Sequence, residues 1–594
     1  MPQHDDHLEH YRRELTYLHT ESAHFAMRHP KVARHLSLSD ANAADPHIRH
    51  LIESVAFLTA GVHRELDSVV PATASAILEN LCPSLAQPVP AMTIMQMTLD
   101  PAEGKVTAGS QVARGSLLST TTATGEPCRF QTGSDATLWP LYIDAIALEE
   151  GRTLRLDVRA DTGIDVAELE VDTLRLHLAG DLLTTMPLHD LLLTGLKDVD
   201  VASTAGIKRL PAGCLQEAGF AEGDAMLANP AHAHPAYALL QAYFAFPRQF
   251  QFFDLAGLRG KLGSGSTFSL RLVFTHGADV LALLRPENIR LNCVPAINLF
   301  PVTSEPIAYD QRHYEYPLLP SRKRDATTEV HSVVAVTVSD PRSDSAAVIP
   351  SLFADTGGEG DTDGIRGNAP LSWTMRRAAS LRPGIAGTDV YLGFVDRRNV
   401  RAPGAETVIY ASLLCTNRQL AAQVTPGTRF YGEGIAKSTD IRALYHPSAQ
   451  RPPALDSEAL WALVSLMRLN HRSLVDGSAG VASLKEMLAL FASDTAQDAK
   501  QISGIRGLTA MPGTARVIGA GAAGAWRGHC RGTDLVIAFD PAHYAGSSAL
   551  LLASVLARFF ALYTTANSFV RLAVVRNGET WREWPPMTGR QALL

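Results

Sequence analysis

The sequence lacks the cysteine spacing, the basic runs and the long apolar runs that each mark a particular class of protein. Its six cysteines lie far apart and form no CxxC pair, which argues against a zinc site and a disulfide framework. Basic residues form no stripe that could follow phosphates, so we expect no nucleic acid partner. The most apolar run, residues 545–557, is shorter than the roughly 20 residues that a membrane span needs. We therefore expect no direct membrane insertion.

A signal peptide is also missing from the N-terminal residues. They are polar and acidic, whereas a signal peptide needs a basic start and an apolar core, so the sequence predicts a cytoplasmic protein. The composition is that of an ordinary globular chain, with 46% hydrophobic and 19% charged residues and a net charge of -7. A length of 594 residues predicts about three or four domains.

Motifs for catalysis and for binding metals or nucleotides are scarce. The sequence contains no zincin spacing, no complete phosphate loop and no nucleophile elbow. His4, His7 and His10 could share one helical face, but their terminal position favours a solvated tail over a metal site. We predict that the chain is not an enzyme and has no catalytic residue, no cofactor and no metal.

One glycine motif supplies the alternative hypothesis. Residues 517–524, VIGAGAAG, contain G-x-G-x-x-G from Gly519 to Gly524, with Asp540 further on. This pattern could mark a flavin- or nicotinamide-binding enzyme, provided that a helix follows the third glycine. Two glycines lie in the next nine residues, and each would cost such a helix about 1 kcal/mol relative to alanine. We favour a flexible Gly/Ala loop.

Aromatic residues concentrate in residues 234–254. Such density buries large areas and favours close-packed contact over chemistry. Pro247 divides the segment into a helix-like half and a strand-like half. We interpret it as a structural hub, and its aromatic density also suits a large obligate interface. The aromatic residues are Tyr237, Tyr243, Phe244, Phe246, Phe250, Phe252 and Phe253.

Two N-terminal helices are predicted, each with an apolar stripe. The first carries apolar residues at alternating three- and four-residue steps, the spacing of a seam that faces a partner helix. The second begins at Asp45-Pro46, an N-cap acid followed by proline at the first helical position. We predict that these helices belong to a bundle and form an interface. The interface residues are Leu8, Tyr11, Leu15, Leu18 and Phe25 on the first helix, and Leu51, Val55, Leu58 and Val62 on the second.

The rest of the chain predicts a multidomain α+β fold, with an N-terminal helical bundle segment followed by β-rich and mixed α+β domains. Short alternating segments indicate strands from Met92 onward. The C-terminal part predicts helices at 457–491 and 547–566, with a strand at 535–539. The domains are a helical region at 1–90, a β-rich domain at 91–200, a mixed domain with the aromatic hub at 201–340, a β-rich domain at 341–450 with a flexible loop at 354–368, and an α+β domain at 451–594.

Several long segments resemble one known family. YRRELTYLHTESAHFAMRHPKVARHL from Tyr11 and ADPHIRHLIESVAFLTAGVHRELD from Ala44 closely resemble the opening of TssF, also called VasA or ImpG. Further similar segments follow in the family's order and cover nearly the whole chain. They are EPCRFQTGSDATLWPL, HPAYALLQAYFAFPRQFQFFDL, CVPAINLFPVTSEPI, LLCTNRQLA, RGTDLVIAFD and WPPMTGRQALL.

This resemblance implies a structural wedge component of the baseplate of the bacterial type VI secretion system. Two TssF-like chains would join one TssG, and the wedge would also hold TssK and TssE around the VgrG spike. Such an assembly supports the tube and the contractile sheath beneath the inner membrane, with an indirect link to the membrane complex. A wedge protein of a phage-tail-like contractile particle is a further alternative, because it would share every physical feature described.

Overall fold

A computed structural model describes residues 3–35, 46–100, 107–227, 235–340, 345–352, 371–380, 382–396, 408–455, 457–466, 477–493, 495–521, 524–565, 568–576 and 578–589. The loop predicted at 354–368 lies outside these residues, as do the side chains of His4, His7 and His10. Within the described part, helices alternate with mostly antiparallel sheets, which confirms the α+β class. The domain boundaries stay predictions.

The helices vary in length from single turns to the long N-terminal pair. They are α1 (Gln3–Arg28), α2 (Pro30–His35), α3 (Pro46–Leu81), α4 (Pro83–Ala86), α5 (Leu182–Thr194), α6 (Pro235–Ala245), α7 (Ala278–Leu281), α8 (Ser457–Leu466), α9 (Gly477–Phe491), α10 (Ala496–Ser503) and α11 (Ala549–Tyr563).

Most strands are short. In the first half of the chain they are β1 (Met92–Thr98), β2 (Ser110–Val112), β3 (Leu117–Thr121), β4 (Pro127–Thr132), β5 (Ala136–Leu138), β6 (Leu141–Glu149), β7 (Thr153–Ala160), β8 (Thr173–Leu178), β9 (Leu196–Ser203), β10 (Gly206–Arg209), β11 (Leu215–Ala218), β12 (Phe252–Ala256), β13 (Thr267–Phe274), β14 (Ile289–Arg290) and β15 (Cys293–Ile297). The remaining strands are β16 (Phe300–Thr303), β17 (Ile307–Ala308), β18 (Tyr316–Pro317), β19 (Glu329–Asp340), β20 (Ser345–Ile349), β21 (Leu371–Ala379), β22 (Thr388–Asp396), β23 (Val408–Thr416), β24 (Arg429–Gly432), β25 (Asp440–Ala443), β26 (Ile505–Gly521), β27 (Gly524–Phe539), β28 (Phe569–Arg576), β29 (Glu579–Glu583) and β30 (Met587–Thr588).

A closed barrel joins parts of the chain that are far apart in sequence. Its strand order is β1-β15-β4-β3-β24-β25, and β25 returns to pair with β1. Buried residues on the barrel strands form one apolar cluster. In that cluster the rings of Phe130 and Phe430 meet edge to face with centroids 5.6 Å apart, a favourable aromatic geometry.

The other described strands form further sheets. Their orders are β10-β9-β13-β7-β6, β11-β12-β8-β14, β16-β23-β19-β20 with β17 beside β23, β18-β22-β21, the pair β2-β5, and β26-β27-β28-β29 with β30 beside β28. Residues 293–307 contain β15 and β16. Pro301 is tolerated because β16 is an edge strand of its sheet.

The main core gathers around the aromatic segment and α11. The division at Pro247 is confirmed, because α6 precedes it and β12 follows it. α11 is buried on nearly every side and packs against α6 and β28, as expected for a helix that is apolar all round. Ser548 caps this helix by accepting a hydrogen bond of 2.8 Å from the Leu551 amide.

Candidate interaction surface

The N-terminal helices form an arm in which α1 packs along α3. The prediction that the second helix begins at Pro46 is confirmed, and the helix continues for 36 residues, roughly 54 Å at the rise of an α-helix. Its C-terminal part enters the body of the protein, where Leu78 is buried and burial raises the pKa of Glu79 to about 7. The N-terminal part of α3 therefore extends from an anchored base.

Small side chains form the buried face of α3 in the arm. Ala56 and Ala60 are fully buried, and Ile52 is half-buried. Residues four positions apart lie on one side of a helix, so these three share a face. On α1, Glu14 is buried and Leu15 is half-buried. The buried contact of the arm thus uses little of the large apolar surface that α3 carries.

The predicted seam of α1 remains partly open. Tyr11, Leu15 and Leu18 are half-buried, whereas Leu8 and Phe25 are exposed. Their three- and four-residue spacing places them along one side of α1. The arm alone therefore covers this side incompletely.

The predicted residues of α3 form an exposed apolar stripe. Leu51, Val55, Leu58 and Val62 are between 42% and 69% exposed. At about 100° per residue they fall within an arc of about 60°. That arc lies opposite Ala56 and Ala60. The structure thus brings the four residues together on the solvent side, and we call them the α3 stripe.

Other large apolar residues of the arm are also exposed, and the sequence reasoning missed them. A periodic seam in the sequence does not reveal these residues, because they fall outside the seam of either helix. A count of large apolar residues on otherwise polar helix faces would have found them. They are Tyr17, Met27, Val32 and Phe57. Together with the α3 stripe, they give the arm many exposed large apolar side chains, and exposed apolar surface is a feature of interaction sites.

The aromatic segment is a hub inside the chain and not an interface. Its seven aromatic residues are all buried within the single chain. Tyr243 donates a hydrogen bond of 2.8 Å to the Gln501 side chain, and Tyr237 lies 6.0 Å from the ring of Tyr563. The hub interpretation is confirmed, but the idea that this density serves a subunit interface is wrong, because the chain's own helices cover these rings.

A turn beside the hub requires glycine. Gly219 has φ +92, and a Cβ there would lie 2.5 Å from the Gln249 carbonyl oxygen. Only glycine adopts this backbone conformation without strain. The close approach brings the end of β11 against the turn that contains Phe250.

A buried cluster of charges ties two sheets together. Glu329 accepts hydrogen bonds from the Thr388 amide at 2.7 Å and from the Gln450 side chain at 2.7 Å. Arg377 donates to the Val330 carbonyl at 2.7 Å and to the Thr388 hydroxyl at 2.8 Å. Burial lowers the pKa of Arg377, and Glu329 opposes that change. Because these charges meet backbone groups and each other, the cluster is structural and resembles no general acid-base pair.

The glycine motif at Gly519 to Gly524 belongs to a β-hairpin. β26 continues through Gly521, β27 begins at Gly524, and the ladder runs up to this pair. A dinucleotide site needs a helix N-terminus at this position, facing the pyrophosphate. The residues that should form that helix instead form strand β27. The glycine motif therefore gives no support to the alternative of a flavin- or nicotinamide-binding enzyme. The flexible-loop prediction was also wrong up to Gly521, because cross-strand hydrogen bonding overrides the low β-propensity of glycine.

The thiols behave as buried apolar groups. Cys82, Cys128, Cys214, Cys293 and Cys415 are buried, and Cys530 is half-buried. Burial raises the pKa of the Cys128, Cys293 and Cys415 thiols to about 12, which keeps them protonated. Among the described residues, no group of three or more His, Cys, Asp or Glu could hold a metal ion. None of the described helices combines the length and the apolar character that crossing a membrane requires.

Comparison with known sequences identifies relatives along the whole chain. The family model described as "Type VI secretion system, TssF" matches residues 3–591. "Type VI secretion system component TssF1" of Pseudomonas aeruginosa is 31% identical over 606 residues, and the match covers 96% of each chain.

Two solved structures share the fold. A chain of the TssK-TssF-TssG baseplate subcomplex of the type VI secretion system, determined by cryo-electron microscopy, matches with a TM-score of 0.71 and 22% identity, covering 91% of this chain and 99% of that one. A chain of the baseplate complex from the type VI secretion system matches with a TM-score of 0.59 and 21% identity, covering 99% and 100%. At these identities the likeness concerns the fold.

Proposed function

Because the chain belongs to the TssF family of type VI secretion system proteins, we propose that it is a structural wedge component of the baseplate and not an enzyme. Its work would be to hold other subunits in place for assembly of the tube and the contractile sheath. The observation that carries this proposal is the match to TssF over residues 3–591. The exposed apolar arm supports it, because such a surface is suited to burial against another chain.

TssG and TssK are the first partners that we propose. The solved structure with the higher TM-score is a complex of TssF with these two proteins. A second copy of this chain, TssE and the VgrG spike are further proposed partners, following the family resemblance. The assembly would lie in the cytoplasm beneath the inner membrane, linked only indirectly to the membrane complex. We propose no contact with nucleic acid and no direct insertion into the bilayer.

The arm is the proposed contact with TssG and the second copy. Leu51, Val55, Leu58 and Val62 would pack against a helix of the partner, as apolar stripes do in helical bundles. The half-buried Leu15 and Leu18 would complete the same bundle from α1. Burying this apolar surface would be favourable by about 25 cal/mol for each Å² that is removed from water.

Co-expression with TssG and TssK from the same gene cluster tests this function. The proposal predicts one complex that stays together through size-exclusion chromatography, with its stoichiometry given by light scattering. A chain that elutes as a monomer in the presence of both partners would contradict the proposal. Turnover of a small molecule by that monomer would indicate that the chain is an enzyme and not a structural component.

A further inference from the structure

The hairpin of β26 and β27 extends well beyond the sheet that holds its base. β28 pairs with β27 only from Thr533 to Ala538, whereas the pairing of β26 with β27 continues to Gly521 and Gly524. Residues 512–521 and 524–532 therefore form a two-stranded ribbon that pairs with no third strand in the described part of the chain. Ten residues of strand span about 33 Å. We call this segment the distal ribbon.

The distal ribbon carries positive charge only. Between Pro512 and Thr533 the sequence contains three arginines and one histidine but no aspartate or glutamate. The whole chain, by contrast, has a net charge of -7. Charge of one sign on a projecting element favours a partner surface of the opposite sign.

The pairing register of β26 and β27 places the basic residues at positions on one face of the ribbon. Arg516 lies opposite His529, Ile518 opposite Arg527, and Thr514 opposite Arg531. Because residues of a strand alternate between its two faces, the arginines and His529 occupy positions on the same face of the ribbon. The opposite face has a different composition, which consists of small residues together with Val517, Trp526 and Cys530.

An isolated ribbon of this kind gains little stability from its own contacts. A single two-stranded hairpin is marginally stable in water, and cations that face each other across strands repel. Glycine at Gly519, Gly521, Gly524 and Gly528 adds to the entropy that folding must overcome. Among the described residues, no strand pairs with the outer edges of the distal ribbon, and unpaired strand edges pair readily with other chains. A binding partner would offset these costs.

We propose that the distal ribbon binds an acidic surface on a neighbouring protein chain of the baseplate. The basic face supplies the charge complementarity, and the open edges can accept an added strand of the partner. This inference rests on the proposed function only in placing the partner within the same assembly. It describes a contact separate from the α3 stripe, because the ribbon lies at the C-terminal sheet.

A protein fits the ribbon better than a nucleic acid does. Nucleic acid has no backbone amides or carbonyls that could pair with the strand edges, whereas a protein chain has both. An acidic protein surface can contact the basic face of the ribbon and can also pair with its strand edges. Nucleic acid and anionic lipid nevertheless stay as outcomes that the experiment distinguishes.

A photo-crosslinking residue at Thr514, which is exposed on the basic face, tests the proposal in the complex purified with its baseplate partners. The expected product joins this chain to a partner peptide rich in Asp or Glu. The variant R516E/R527E/R531E should lower the crosslinking yield at least about tenfold. Reversing the charge of the partner's crosslinked acidic residues should restore the crosslinking yield of this variant.

The matched control reverses three exposed cations elsewhere, R312E/K323E/R324E, and should leave the yield unchanged. A shortened variant, in which Asn-Gly replaces residues 514–531, is a control for misfolding. It tests whether the contact is lost when the ribbon is removed and the rest of the fold is intact. Gly513 and Gly532 lie opposite each other, so a two-residue turn can close the shorter hairpin. This variant should melt like the parent chain and lose the contact with the acidic partner.

Failure of the ribbon proposal can be told apart from failure of the proposed function. If the complex forms but Thr514 crosslinks to no protein, or only to nucleic acid or lipid, the ribbon proposal is overturned while the baseplate function stands. An unchanged yield in R516E/R527E/R531E also overturns it. If no complex with TssG and TssK forms at all, the proposed function itself fails.

Discussion

Leu58 and Ala60 lie two residues apart on α3, yet 69% of Leu58 is exposed and none of Ala60 is. Two residues along a helix correspond to a rotation of about 200°, so the two side chains occupy opposite faces. The helix thus uses a small residue for its contact within the chain and leaves a large apolar residue in solvent. This arrangement is energetically favourable only if another surface covers Leu58.

Replacing Leu58 by Asp should weaken binding of TssG without harming the fold. The side chain is exposed, so the free energy of unfolding should change by no more than about 0.5 kcal/mol. A charge placed in an apolar bundle contact should lower the affinity at least about tenfold. Titration of the purified chain against TssG measures this effect. Leu283, which is 71% exposed elsewhere, provides the control L283D, and equal losses in both variants would contradict the assignment.

Replacing Ala60 by Leu should destabilise the arm itself. Ala60 is fully buried, and adding atoms to a packed contact typically costs about 1 to 3 kcal/mol. Hydrogen exchange of the α1 and α3 amides should therefore become faster, while exchange in the barrel stays the same. Ala23 is exposed on α1, so A23L should leave exchange unchanged. Unaltered exchange in A60L would show that this face is not closely packed.

Replacing Phe253 by Ala should destabilise the body of the protein. Its ring is buried in the hub, and truncating a buried phenylalanine costs about 3 to 5 kcal/mol. The midpoint of urea unfolding should fall accordingly. Tyr314 is 99% exposed, so Y314A should unfold at the midpoint of the unsubstituted chain. If F253A unfolded there too, the hub would not be part of the core.

Acid should destabilise the fold through His177. Burial, with help from the nearby Arg248, lowers the pKa of this imidazole to about 3. An unfolded histidine has a pKa of about 6.5, so between these values the unfolded chain binds more protons and stability falls as the pH falls. At pH 5 the loss is about 2 kcal/mol.

Urea unfolding at pH 7 and pH 5 measures the contribution of His177. H177Q should show a smaller difference between the two pH values than the unsubstituted chain. His313 is exposed, and H313Q should keep the full difference. If H177Q kept it as well, His177 would not contribute to the difference.

The features that sequence predicted are those that local chemistry determines. Pro46 marked the start of α3, and Pro247 marked the change from helix to strand in the aromatic segment. Both follow from the fixed φ and the missing amide hydrogen of proline. The apolar run after Ser548 was likewise predicted as a helix and is α11.

The features that sequence missed depend on distant partners. Closure of the barrel pairs Met95 with Ala443, and no local pattern indicates a contact over that separation. The strands around Gly519 carry too many glycines for a prediction based on propensity. Periodicity also could not decide which face of α3 would be buried, because alanine on one face and large apolar residues on the other both fit a packed helix.

Thiol labelling at position 58 tests the central claim most directly. In a C530S background, L58C should react with a maleimide rapidly in the isolated chain and at least about tenfold more slowly in the complex with TssG, because access of the reagent requires the stripe to open. L283C should react at the same rate in both. Equal labelling of L58C in the free chain and in the complex would show that the α3 stripe stays in solvent, and would contradict the account.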